Sequence, residues 1–126
     1  MAIDKNTFTT TADLAAFIAE NGVNELLRLI KPHVERVAEN KYTPKLEALA
    51  GIQVDDLVSV GLDIVSQYYD GWDPSRGNFI TYIDFYLKHR LTDFIRITSV
   101  QSRRLMQLRG KMEAARVQLM RKLGRS

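Results

Sequence analysis

A chain of 126 residues, 45% hydrophobic and 26% charged, is long enough for one domain with a core and too apolar for a disordered one. It has no apolar run near the ~20 residues that span a bilayer, and no basic start leading into an apolar block of the kind that marks a secretory leader. It has no cysteine, which excludes disulfides and thiolate metal sites and suits a cytosolic protein, and its net charge is +3.

Nearly every segment reads as helix. The first runs from Thr11 to Asn21, with Thr10 as N-cap, Asp13 three residues on and Gly22 at the end. Its apolar face is Leu14, Phe17 and Ile18. The second runs from Val23 to Lys41, with Leu26, Leu27, Ile30, Val34, Val37 and Ala38 at helical spacing. Pro32 lies inside it and marks a kink or a break. "YTPKLEALAGIQ" is a short helix or turn with Pro44 near its start and Gly51 at its end. A fourth helix begins at "DDLVSVGLDIVSQYY" with Asp55 as N-cap. Its stripe is Leu57, Val58, Leu62, Val65 and Tyr69, and Gly71 stops it. "DGWDPSRGN" is a tight connector capped by Asp73.

The fifth helix covers Asn78 to Ile97. After "TSVQS" a sixth covers Arg103 to Leu123, with Leu105, Leu108, Met112, Ala115 and Leu119 close to a heptad. Strand-like alternation is nearly absent. The expectation is an all-α bundle of about five to six helices with short connections and antiparallel neighbours.

Charge is distributed unevenly. Residues 1–96 carry ten Lys/Arg against fourteen Asp/Glu, a net of −4, and residues 97–126 carry eight against one, a net of +7. A basic block of this kind meets a polyanion or forms a solvated helix, and charge alone weighs the two equally.

The fifth helix has an odd face. With Ile83 at zero and 100° per residue, Ile80, Leu87, Leu91 and Phe94 fall within about 80° of it, which is a buried stripe. Tyr82, Phe85, His89, Thr92 and Arg96 lie on the opposite side, with Lys88 at the edge and Phe79 and Tyr86 on the boundary. Three readings stand open. The rings pack under another helix, or they form a protein-binding patch rich in aromatics and Arg. Alternatively, they stack on unpaired bases while the cations hold phosphates.

"DDLVSVGLDIVSQYYDGWDPSRGNFITYIDFYLKHRLTDFIR" resembles conserved region two of bacterial sigma factors of the sigma-seventy family, in its flagellar and related alternative types. The positions that carry the resemblance are Asp56-Leu57, Gly61, "WDPSRG", Thr81-Tyr82 and the aromatic helix through Arg96. "NELLRLIKPHVERVAEN" is similar to the preceding family helix, and "SRRLMQLRGKMEAARVQLMRKLGRS" is weakly similar to the start of region three. The resemblance covers about two thirds of the chain. It divides the chain into an N-terminal helical extension (1–22), a region-two-like domain (23–97) and a basic region-three-like helix (98–126).

The resemblance implies a transcription initiation factor, not an enzyme, that binds RNA polymerase core and opens promoter DNA at the minus-ten element. Asp56, Leu57, Ser59, Val60, Leu62 and Asp63 match positions that dock on the clamp coiled coil of the beta-prime subunit. Phe79 and Tyr82 match rings that hold a flipped adenine, and Phe85 and Tyr86 match an aromatic pair at the upstream bubble edge. Lys88, His89 and Thr92 match contacts to phosphates and base edges, with Arg96 closing the helix. Ser99, Gln101, Arg103, Arg104 and Arg109 fall where the family meets DNA upstream of the bubble.

There are departures. Ser59 and Val60 stand where primary members carry Gln and Glu. Only Asn78 stands where the family has a further aromatic, His89 replaces a Gln, and Phe85 and Tyr86 replace tryptophans. No second helix-turn-helix module follows, so the expectation is either a truncated or divided factor or one whose upstream contact a separate protein supplies. A minimal phage-encoded or co-opted factor also fits, and an anti-sigma factor is a further candidate partner. The expected location is the cytoplasm of a bacterial cell or phage-infected bacterium. Alternatives of other classes are a polymerase inhibitor or appropriator, a helical protein-interaction module, and a membrane-binding basic helix. The last is disfavoured by the lack of large aromatics.

No cofactor is expected. The only histidines are His33, expected to be solvated, and His89, too few for a zinc site. "DGWDPSRG" lacks the acidic spacing of a calcium loop.

Overall fold

The computed structural model describes residues 3, 4 and 6–124. The first two residues of the N-terminal extension, Lys5, and the last two residues of the basic block lie outside the described residues. The described residues form five α-helices and two 3-10 turns, with no strand: α1 Thr11–Asn21, α2 Val23–Lys41, α3 Pro44–Ala50, α4 Val54–Tyr68 and α5 Phe79–Leu123. The turns, Tyr69–Gly71 and Pro74–Arg76, join α4 to α5. The fold is the all-α bundle that the helical periodicity predicts.

Local chemistry sets the ends of the helices. The Asp13 amide donates to Thr10 Oγ1 at 3.1 Å and the Thr10 amide to Asp13 Oδ2 at 3.3 Å, a reciprocal capping box. The Thr9 hydroxyl, and after it the surrounding amides, hold the Asp13 carboxyl below the usual carboxylate range. Thr43 caps α3, with Pro44 in its first turn. Asn78 Oδ1 caps α5 by accepting from the Thr81 amide at 2.9 Å.

One cap differs from expectation. Gln53, not Asp55, precedes α4, and the Gln53 amide donates to Asp56 Oδ2 at 2.9 Å. Asp55 and Asp56 both lie inside the first turn, where the helix dipole favours carboxylates.

The core is one apolar cluster. α2 contributes Leu26, Ile30, Val34, Val37 and Ala38, α4 contributes Leu57, Val58, Ile64 and Val65, and α5 contributes Phe79, Ile83, Leu87 and Leu91. Pro32 does not break α2, which runs continuously through it. The apolar stripe stays in phase on both sides, so burial of Ile30 and Val34 offsets the roughly 3 kcal/mol that an interior proline costs.

The N-terminal segment is part of this core. Ile3 and Phe8 are buried, and the Phe8 ring meets Phe17 and Phe79 edge-on at 5.4 and 5.5 Å.

The expected break at "TSVQS" is absent, and α5 is a single 45-residue helix. The segment contains no Gly or Pro, and Thr98, Ser99 and Val100 are half-buried where α3 packs against α5. A helix already formed propagates through weak formers at little cost. The boundary drawn between 97 and 98 therefore falls inside one helix. Beyond it the side chains from Arg103 to Gly124 are all exposed, and this part of α5 is an arm projecting from the bundle.

His33 is also not solvated as expected. Its Nε2 pairs with Asp84 Oδ1, which ties α2 to α5, and both side chains are mostly covered.

Candidate nucleic-acid interface

The connector between α4 and α5 is built around Trp72. Its ring is buried against Phe79 at 5.4 Å, and its Nε1 donates to the Gly77 carbonyl at 2.9 Å. Asp73 Oδ1 accepts from the Ser75 amide at 3.0 Å and the Ser75 hydroxyl at 2.7 Å. These bonds, the hydroxyl first, hold its carboxyl below the usual range, with Arg76 adding at 3.8 Å. The connector is thereby pinned beside the start of α5.

An open cleft of about 590 Å³ lies between them, lined by Gly71, Asp73, Arg76, Thr81, Tyr82, Phe85 and Tyr86 among others. Its wall is an aromatic chain that begins on α4. Tyr68 stacks on Tyr86 with centroids 4.2 Å apart and planes 11° from parallel. Tyr86 meets Tyr82 and Phe85 edge-on at 5.2 and 5.3 Å, and Phe85 leans on His89 at 4.4 Å. The Tyr82 hydroxyl donates to the Tyr68 carbonyl at 2.5 Å. Burial pushes the Tyr82 phenol up, and the charges of Tyr86 and Asp70 add to the effect. Gly71 makes room for this bond, because a Cβ there would sit 2.7 Å from Tyr82 Oη.

Phe85 is the ring at the mouth of the cleft, 57% exposed. Tyr82 and Tyr86, by contrast, are half-buried. Lys88 and His89 are exposed on the next turn. Thr92 Oγ1 is engaged, donating to the Lys88 carbonyl at 2.7 Å and accepting from Lys41 Nζ at 2.9 Å. Arg96 and Arg90 flank Asp93 at 3.3 and 3.9 Å, so part of their charge is neutralised.

Phe79 departs from expectation. It is fully buried, wedged between Phe8 and Trp72, and presents no face to a base. Arg103 and Arg104 are exposed, but they lie about 30 Å along α5 from Tyr82 at 1.5 Å per residue, so they are not part of the cleft. Gln101 and Arg109 are likewise exposed on the distal helix, and Ser99 is half-buried against α3.

The residues matched to polymerase binding divide in three. Asp56, Val60 and Asp63 fall within about 60° on one face of α4, with both carboxylates exposed and Val60 half-covered. Ser59 and Leu62 line a separate groove of about 510 Å³ against α2, opposite Lys31, Glu35 and Glu39. Leu57 is wholly buried in the core and is not on the surface.

Sequence reasoning missed Tyr68, Arg76, Arg90 and Lys41. The Tyr68-Tyr69 pair just before the connector was a legible signal, since a helix stripe needs only one of the two. Lys41 carried none, because its approach to Thr92 depends on the α2–α5 packing. Among the described residues no group of His, Asp or Glu side chains is arranged to hold a metal ion, and no helix is long and apolar enough to cross a membrane. Comparison with family models, curated proteins and solved structures finds no match to the chain.

Proposed function

We propose that the chain is a sigma-like initiation factor that binds RNA polymerase core and captures an unpaired base of minus-ten promoter DNA in the aromatic cleft. The observation that carries this reading is the exposed Phe85 ring at the mouth of a cleft walled by Tyr82 and Tyr86, with Arg76, Lys88 and His89 around it. A core side chain would be covered, and a solvated helix face would not carry three rings. Stacking on an aromatic ring contributes ~1–3 kcal/mol per base, enough to offset the few kcal/mol of extracting one from the duplex. Lys88, Arg76 and the partly neutralised Arg96 supply the phosphate contacts, which are sequence-independent and salt-sensitive. Polymerase core meets the Asp56, Val60 and Asp63 face of α4, with Leu57 supporting that face from within.

The test is permanganate footprinting on an AT-rich promoter with purified bacterial core polymerase. The wild-type chain should bind core and make minus-ten thymines reactive. Phe85→Ala should bind core equally and lose the reactivity. If Phe85→Ala opens the promoter normally, the aromatic cleft has another use. Core binding that inhibits transcription equally with either chain would favour the inhibitor reading, in which only the α4 face acts.

A further inference from the structure

The arm of α5 has a second, separate feature. Leu105, Leu108, Met112 and Leu119 are each about half exposed or more, and none belongs to the buried cluster or packs against it. With Ala115 they repeat at spacings of three and four, the a and d positions of a heptad, so they form one narrow stripe along about 21 Å of helix. The sequence reads this stripe as a packing surface, yet the described residues supply no partner for it.

The positions beside the stripe identify the partner. With Leu105 at a, Arg104 and Lys111 occupy g, and Arg109 and Arg116 occupy e. A second copy would set cation against cation on both flanks, whether the strands ran parallel or antiparallel. Glu113, the one acid of the arm, lies outside these positions and bonds Arg116 within its own helix at 3.0 Å. Nucleic acid would satisfy the charges and leave the apolar stripe uncovered. A membrane-surface helix sinks a broad apolar face, whereas this stripe spans only about 80° with Arg109 and Arg116 directly beside it, and the arm has no Trp or Phe to anchor it.

We propose that the arm docks one acidic amphipathic helix of a partner protein as a two-stranded coiled coil. The partner buries its own apolar stripe on Leu105, Leu108, Met112 and Leu119 and sets carboxylates against Arg104, Arg109, Lys111 and Arg116. The like-charged flanks keep the chain from pairing with itself. The aromatic cleft takes no part, so this proposal is independent of the polymerase reading.

The experiment uses the full chain and a fluorescein-labelled synthetic peptide of three heptads, with Leu at a and d and Glu at e and g. Its twin carries Lys at e and g. Anisotropy should show saturable binding of the Glu peptide at one per chain and none of the Lys twin. Leu108→Glu should abolish binding, and the double variant Arg109→Glu/Arg116→Glu should weaken it about tenfold or more. Helix content by circular dichroism should not change for Leu108→Glu; the double variant also loses the Arg116–Glu113 bond, so its binding is compared at matched helix content. Sedimentation of the wild-type chain alone should show a monomer. No saturable binding of the Glu peptide would overturn the proposal. Binding unaffected by Leu108→Glu would also overturn it, as bare charge attraction. Self-association lost in Leu108→Glu would replace the partner with a second copy. Tighter binding to phosphatidylglycerol vesicles than to the Glu peptide, lost in Leu108→Glu, would replace it with a membrane.

Discussion

Gly61→Ala tests the closest approach in the bundle. A Cβ at Gly61 would lie 2.5 Å from Val34 Cγ1 and 3.5 Å from Leu87 Cδ2. Ordinary carbon contacts are about 3.5–4.0 Å, so the new methyl overlaps Val34 by about 1 Å. Val34 is fully buried, and its branched side chain has one strongly preferred rotamer in a helix, so it cannot swing aside. Overpacking of this kind costs about 1–3 kcal/mol. Replacing a mid-helix glycine with alanine returns up to about 1 kcal/mol of helix propensity. The net is a loss of about 1–2 kcal/mol, or a melting temperature lower by roughly 3–8 °C. Urea unfolding with the four members of the cycle Gly61→Ala, Val34→Ala, both and neither separates the two terms. In the Val34→Ala background the clash is gone, and Gly61→Ala should be neutral or stabilising. A coupling energy of at least about 1 kcal/mol is expected. If Gly61→Ala stabilises the wild-type chain, or costs the same in both backgrounds, α2 and α4 do not meet as described.

Three further outcomes follow from the aromatic region and the α2–α5 link. Phe79→Ala should destabilise by about 3–5 kcal/mol in urea, whereas Phe85→Ala should change stability by less than about 0.5 kcal/mol, because only the first ring is in the core. Tyr82→Phe should cost about 0.5–1.5 kcal/mol at neutral pH by removing the bond to the Tyr68 carbonyl. Its phenol is pushed up in the fold, so its contribution is present below the ordinary tyrosine value of about 10 and is lost as pH rises through the folded value. Guanidinium midpoints between about pH 9 and 11 should therefore fall more steeply for wild type than for Tyr82→Phe. His33→Ala should cost about 1–3 kcal/mol by leaving the mostly covered Asp84 carboxylate without its partner, and Asp84→Asn in the His33→Ala chain should recover part of that in the same assay.

Much of this architecture was legible because helical periodicity and capping are local. The limits of α1 and α2, the caps at Thr10 and Asp73, and the Ile83–Leu87–Leu91 stripe all follow from residues within a few turns of one another. Phe79 was misread because its position on the wheel is a boundary. Whether a boundary ring is buried depends on Phe8 and Trp72, which reach it from 71 residues before and seven before. Leu57 received two readings, one in the apolar stripe of α4 and one in the docking motif, and the first describes its place: it is buried while Asp56 beside it is exposed. The His33–Asp84 pair and the Lys41–Thr92 bond each span 51 residues, and no pattern within a single helix signals them.

The continuity of α5 decides how the two ends of the molecule relate. Thr98, Ser99 and Val100 are weak helix formers, and with solvent on every side they would be a natural place for the chain to part into two helices. They are instead half-buried beside α3, and a groove of about 460 Å³ lined by Leu46, Leu49, Ser99 and Met106 among others follows the helix outward. α3 thus holds the helix through the stretch where its own propensity is weakest, and the strong formers from Arg103 onward extend it. The aromatic cleft and the arm are therefore carried on one rod, and the direction of the arm is set by the same Leu87 and Leu91 packing that positions Phe85. A perturbation at either end reaches the other only by bending or unwinding this helix, so substitutions at Leu108 should leave the cleft's rings unmoved while substitutions in α3 should affect both.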